Sequence, residues 1–346
     1  MKAIVVNAPG NIGYAEVEKP KPGPYEVLAK VSYCGICGTD SEIYYGDTSL
    51  TRKGLVRYPV RIGHEWSGVV EEVGAKVKEF KPGDRVISDT GSSCGICKEC
   101  LSGNFKRCRQ LRSLGTVGFH KEGAFAEYIV MYHWHMHKIP DNVSMEEAAL
   151  VEPATIALNG LEDCAPDPES TVLITGTGAI GLLAVSMAKQ KGLRVLLAGR
   201  KQFKLDVGLA MGADAVVNLT TEDLKTFVGE QTGGKGLELF YDTTGASEFI
   251  TQALELTGYM GTIALVGFYE KSLNHFDVNR MVMEHKRIQG CEGSAWRAPQ
   301  VLELAKQGKI RLKPLITGRI PFEEAADAIR SSRENTEKKI KILVEM

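Results

Sequence analysis

Residues Val172–Gly181 read VLITGTGAIG, and this stretch decides the fold class. An apolar run of strand length, Thr171–Thr175, gives way to Gly176, Gly178 and Gly181 and then to the helical pattern Ile180–Gln190. In a G-x-G-x-x-G placed between strand and helix, the first glycine makes a tight turn. The second lets backbone approach a pyrophosphate, and the third lets the helix pack against the strand. Ala179 and Ile180 fall in the first helical turn, whose free N–H groups complement phosphate. Such a turn also occurs as plain packing, but its setting here favours a nucleotide.

Working outward, Arg194–Ala198, Ala213–Asn218, Leu237–Tyr241 and Thr262–Val266 read as further buried strands with helical patterns between them. That is the rhythm of a parallel sheet covered by helices. Where an NAD site carries an acid at the end of the second strand, this chain has Gly199, 23 residues after Gly176, followed by Arg200 and Lys201, with Lys204 close behind. A ribose 2′-phosphate would be repelled by the acid and can be bound by arginine and lysine, so NADP(H) is preferred over NAD(H). The alternative is a solvated basic edge.

The first half has a different grammar. Ala3–Val6, Val27–Tyr33, Trp66–Val73 and Phe125–Val130 read as short strands separated by Gly/Pro turns. The tail predicts helices at Val301–Gln307 and Phe322–Ser331 and a strand at Lys341–Val344. With 346 residues, 43% hydrophobic, 25% charged and a net charge of −1, the composition is that of an ordinary globular chain. Disordered, collagenous and disulfide-framework classes are excluded, and no global field recruits nucleic acid or an anionic membrane. No secretory signal or membrane span is legible, so a cytoplasmic location is expected.

Four of the eight cysteines, Cys94, Cys97, Cys100 and Cys108, fall in C-x2-C-x2-C-x7-C. Four thiolates can close a tetrahedral zinc sphere and staple a loop too polar to bury itself. A reduced cysteine cluster or an iron–sulfur centre would use the same residues, but structural zinc fits the spacing best. A second set is dispersed: Cys37 in CGICGTD, His64 and Glu65 in GHEWSG, and Glu152 in VEPAT. Thiolate, imidazole and carboxylate can hold zinc with a position open to water or substrate. A lone histidine is more often a satisfied structural residue and a lone glutamate more often solvated, and Cys34 reads as a packed thiol. His133, His135 and His137 would share one face of an extended strand, and a packed strand is favoured there over a metal site.

These residues resemble the zinc-containing medium-chain alcohol dehydrogenase family, in its polyol and sorbitol dehydrogenase branch. The ordered motifs GICGTD, GHEWSG, the four-cysteine lobe, GAFAEY, VEPAT, GTGAIG and KPLITGRIPFEEAADAI carry the resemblance over nearly the whole chain. It implies an α/β protein with a β-rich part: a GroES-like catalytic domain at 1–152 with a zinc lobe at 94–108, a Rossmann domain at 153–292, and a return to the catalytic domain at 293–346. It implies two zinc ions per chain and reversible hydride transfer between a nicotinamide cofactor and a small alcohol or ketone. Cys37, His64 and Glu65 match the reaction-zinc ligands, with Glu152 the nearby acid. Thr39 matches the first hydroxyl of a proton relay, and Thr155 matches a pocket position. Relatives imply a homodimer or homotetramer. Glu42 replaces the relay histidine, and Gly293 stands where an arginine helps bind polyol, which weakens sorbitol itself against the wider polyol or cyclitol class. Glu292 and Trp296 are pocket candidates. A threonine- or butanediol-type dehydrogenase would use the same set, and a zinc-stabilised nucleotide-binding protein without catalysis is the alternative of a different class.

Overall fold

The computed structural model describes all residues except 274–275, 292, 294–295 and 335–337, and the side chain of Arg112. Glu292 lies outside the described residues. The chain divides into two compact units, one built from Met1–Thr155, Ser294–Gln307 and Ile316–Met346, the other from Ile156–Gly293 and Gly308–Leu315.

The second unit is organised around six parallel strands in the spatial order Ala215–Asn218, Arg194–Gly199, Thr171–Thr175, Leu237–Asp242, Thr257–Leu265, Arg287–Gly290. In order of sequence this is 3-2-1-4-5-6, the doubly wound topology. Its switch point lies between Thr171–Thr175 and Leu237–Asp242, whose C-terminal ends are in register at Thr175 and Asp242. The central strands are apolar without alternation because helices cover both faces, and Leu173, Leu196, Phe240 and Ile263 are fully buried.

The first unit is mostly antiparallel. Glu26–Gly35 pairs with Glu65–Val73, Lys341–Glu345 and Tyr128–Tyr132, and Ile316–Pro321, Arg85–Ser88 and Met136–Lys138 extend the seven-stranded sheet. A smaller sheet joins Asn11–Glu16, Lys2–Ala8 and Val60–Arg61. Ile4, Val27, Trp66, Phe125, Ile129 and Val344 belong to the core of this unit. The register matters for the site: Gly35 lies opposite Glu65 on one side and Leu343 on the other.

Three sequence expectations change. The strand expected at Phe125–Val130 runs Tyr128–Tyr132, with Phe125 held in the loop by a backbone bond from Ile4. The helix expected at Phe322–Ser331 is a tight turn at Phe322–Glu324 followed by Ala325–Arg330. His133–His135 form a 3-10 turn rather than a strand. Their side chains therefore diverge, His133 to Glu79 at 3.3 Å, His137 to Asp89 at 2.7 Å, and His135 inward.

Candidate active site

Cys37 ends the strand-to-helix passage and caps Gly38–Tyr45, its N–H donating to Asp40 Oδ2 at 2.8 Å. His64 lies just before the strand Glu65–Val73, which Glu65 opens, and one donor atom from each of Cys37, His64 and Glu65 lies within 4.8 Å of the others. His64 Nδ1 is buried without a hydrogen-bond partner and sits 3.7 Å from Asp40 Oδ1, an ion-pair distance only. Asp40 is fully buried and also accepts from Gly63 N–H at 3.2 Å. Nothing in GICGTD by itself marks Asp40, although a carboxylate behind a ligand histidine is the usual way to orient one.

The charges of this site call for a cation. Burial works against a proton on His64, yet Cys37, Asp40 and Glu152 outweigh it and raise its pKa well above the ordinary value. Burial, reinforced by Glu65, lifts Glu152 to about 7, with His64 opposing. A dication at the Cys37–His64–Glu65 cluster would relieve both, and the donor set suits zinc. Glu152 stands outside that tight group, its Oε1 3.5 Å from the Thr90 hydroxyl. Thr39 Oγ1 is 3.7 Å from Cys37 Sγ. Thr155 is buried and donates to Glu152 O at 2.6 Å, so its hydroxyl is spent on its own helix. Cys34 is a buried thiol whose pKa burial pushes well up, outside the cluster.

Sequence reading missed Lys341. Its Nζ donates to Glu65 Oε2 at 2.5 Å and to Ile36 O at 3.0 Å. No local motif marks a lysine 276 positions from its partner; only strand register brings it there.

The four lobe cysteines also gather, all four sulfurs within 4.8 Å of one another. Cys97 and Cys100 are 3.4 Å apart, and backbone N–H groups reach Cys94 and Cys108 at 3.4 Å. Backbone N–H at Cys100 brings Cys97 down to about 6, whereas burial and the neighbouring Cys97 push Cys100 up to about 12. One sulfur ready to ionise beside another that resists it is what crowded thiolates show before a metal takes them all. Trp296, with φ of 54°, lies against Phe105 with ring planes tilted by 40° and donates from its indole to His135 Nδ1 at 2.8 Å, so it belongs to the surroundings of this lobe. Gly293 has φ of 87°, a left-handed backbone that an arginine side chain would strain.

In the second unit, Gly176 has φ of 100°, and a Cβ there would lie 2.5 Å from Thr243 Oγ1. A Cβ on Gly181 would lie 2.0 Å from Gly176 O, so only glycine lets the helix sit this close to the turn. Gly178 caps Ala179–Gln190, placing the Ala179 and Ile180 amides at the helix start. Gly199 ends its strand with Arg200 exposed, and Lys201 caps the following helix. Burial and then the charge of Lys201 hold Lys204 below its usual value, a repulsion that a bound anion would relieve.

A sheet of doubly wound topology with a glycine turn at its switch point, joined in one chain to a β-rich unit carrying a Cys–His–Glu cluster and a four-cysteine lobe, defines a metal-site nucleotide-dependent oxidoreductase. The alcohol dehydrogenase GroES-like domain matches residues 23–141, and the zinc-binding dehydrogenase domain matches 179–307. A sorbitol dehydrogenase of Halalkalibacterium halodurans is 31% identical over 96% of both chains, and an L-threonine 3-dehydrogenase of Pyrococcus horikoshii is 33% identical over 96% of both. A zinc-binding dehydrogenase of Sinorhizobium meliloti bound to NADP superposes with a TM-score of 0.89 at 30% identity, over 100% of this chain and 99% of that one. An Escherichia coli alcohol dehydrogenase complexed with NADH superposes with 0.90 at 31% identity, over the same shares. The chain belongs to the zinc-containing medium-chain alcohol dehydrogenase family, on its polyol-dehydrogenase-like side, and is a zinc-dependent alcohol dehydrogenase. No helix among the described residues is long and apolar enough to cross a membrane.

Proposed function

We propose that this enzyme transfers hydride reversibly between NADP(H) and a secondary alcohol or ketone of the polyol, sugar-alcohol or cyclitol class, with one zinc at Cys37, His64 and Glu65 and a second at Cys94, Cys97, Cys100 and Cys108. The observation that carries the chemistry is the Cys37–His64–Glu65 cluster with the acid Glu152 standing just outside it. Bound there, zinc supplies Lewis acidity to the alcohol oxygen. The family resemblance gives Thr39, whose Oγ1 lies 3.7 Å from Cys37 Sγ, the role of taking the alcohol proton, with Glu42 in place of the histidine that continues the relay in relatives. Glu152, the acid just outside the cluster with its Oε1 3.5 Å from the Thr90 hydroxyl, is the carboxyl assigned to act beside the metal. A threonine or butanediol substrate would use the same residues. Turnover of polyols, L-threonine and 2,3-butanediol, each with both cofactors, separates these readings, and no metal-dependent turnover of any secondary alcohol would overturn the assignment.

The cofactor half rests on the Arg200–Lys201–Lys204 cluster with no acid at Gly199. Arg200→Ala is expected to weaken NADP(H) by about 1.5–3 kcal/mol, the range of a charge-assisted hydrogen bond, and to leave NAD(H) nearly unchanged. Gly199→Asp alone is a poor test of reversal, since a Cβ there meets Thr177 Cγ2 at 2.4 Å. Combined with Thr177→Ala, which clears that contact, it should favour NAD(H). Steady-state kcat/KM for both cofactors decides: an unchanged ratio in Arg200→Ala makes the basic cluster a solvated edge.

A further inference from the structure

The Glu65–Lys341 pair is more closely built than a ligand carboxylate needs. Both side chains are buried, at 1% and 4% exposure, and Lys341 spends its remaining reach on Ile36 O at 3.0 Å. Three strands converge on the pair. Gly35 sits between them, and a Cβ there would fall 2.5 Å from Glu65 Oε2 and 3.3 Å from Lys341 Cδ. A buried ammonium is costly unless paired, so the fold has committed both a lysine and a glycine to this contact.

We propose that Lys341 is a positioning residue that competes with the metal for Glu65, keeping that carboxylate an exchangeable ligand. This rests on the zinc reading of the Cys37–His64–Glu65 cluster. Partners behind a metal ligand are usually acceptors, which raise the ligand's basicity, so their loss weakens metal binding. Lys341 is the opposite case: a cation that withdraws charge from the carboxylate and opposes a dication. Removing it leaves Glu65 beside Cys37 and Asp40 without its paired ammonium, so the metal, or in the stripped protein His64 alone, must supply the counter-charge. The metal should then be held more tightly and the stripped protein should become less stable.

Zinc-loaded enzyme is challenged with a chromogenic chelator, and the signal from this site is identified as the zinc that Cys37→Ser lacks. Lys341→Met is expected to slow release of that zinc by about ten- to a hundredfold, the scale on which residues behind a ligand act. Lys341→Arg, which keeps the charge, should release at a rate close to wild type. Thermal melts with and without metal should show a wider gap for Lys341→Met. Release from Lys341→Met as fast as wild type or faster, with the lobe zinc retained, overturns the proposal, since a merely structural lysine would loosen the site. Where the Met variant does not fold, Lys341→Gln removes the charge while keeping a donor for Ile36, and the same outcomes apply. Wild-type enzyme with no Cys37-dependent zinc overturns the site reading itself, and this proposal with it.

Discussion

His135 shows how one side chain's environment becomes a property of the whole chain. It is fully buried, and both ring nitrogens face N–H donors, Trp296 at Nδ1 and Ser93 at Nε2, each at 2.8 Å. The neutral ring has one acceptor nitrogen. Nδ1 accepts from Trp296, and the ring's proton then lies on Nε2, with Ser93 Oγ at 3.2 Å and Ser93 O at 3.4 Å. A second proton, on Nδ1, therefore displaces the Trp296 donor. Burial accordingly holds its pKa down to about 4, against 6.5 when exposed. Because the folded value is depressed, the unfolded chain binds the extra proton first as pH falls. The neutral ring's contribution is complete above about pH 6.5 and is lost progressively towards pH 4. At pH 5 the linkage amounts to about 2 kcal/mol. Denaturant titrations at pH 7 and pH 5 should show a smaller loss for His135→Gln than for wild type, the difference isolating this residue from acid effects on the zinc lobe. Equal losses would place the pH sensitivity elsewhere.

At the scale of the element, the lobe from Cys94 to Cys108 is held, besides its cysteines, chiefly by the ring contacts of Phe105 with His135 and Trp296 and the packing of Gly95 on Trp134. Its helix, Lys98–Leu101, has four residues, far below the length at which a helix persists alone. Ile96 and Leu101 are 75% and 76% exposed, so the lobe's only buried side chains in this stretch are Cys100 and Cys108. Cys94→Ser should therefore cost the lobe much of the roughly 10 kcal/mol that zinc supplies to small four-ligand folds. Limited proteolysis should find new cleavage within the lobe, and metal analysis should find one zinc fewer. Cys37→Ser should instead remove turnover while the lobe stays resistant. Protease-resistant Cys94→Ser protein with its metal content intact would show that the thiolates are not what holds the lobe.

For the molecule as a whole, the strand Arg287–Gly290 ends the parallel sheet and pairs on one side only among the described residues. Beside it in the same unit, Tyr259, Met260, Val282 and Met283 are 67–69% exposed. An open sheet edge next to exposed apolar side chains is an unstable surface in isolation. A homodimer or homotetramer is expected, and Val282→Asp with Met283→Glu should lower the sedimentation mass without lowering the unfolding free energy of the monomer by more than about 1 kcal/mol, the sum of two surface changes of roughly 0.5 kcal/mol each. A monomeric wild type would remove the argument.

Local chemistry was legible in the amino-acid sequence wherever neighbouring positions carry it. The Gly176–Gly181 turn, the parallel-strand runs and the C-x2-C-x2-C-x7-C spacing are short-range patterns, because turns, strand burial and loop ligation depend on a few adjacent residues. Cys37, His64 and Glu65 were visible as types, and strand pairing then brought their donor atoms together. Only the tertiary structure decided that Glu65 pairs with Lys341, that a Cβ at Gly35 would crowd both, and that Thr177 closes the end of the Arg194–Gly199 strand against a side chain at Gly199. It also turned the three-histidine alternation into a 3-10 turn, with His135 drawn inward to Ser93 and Trp296. The reason is physical: a residue's local pattern sets its own backbone, whereas contacts between residues hundreds of positions apart depend on strand register and packing, which no local pattern encodes.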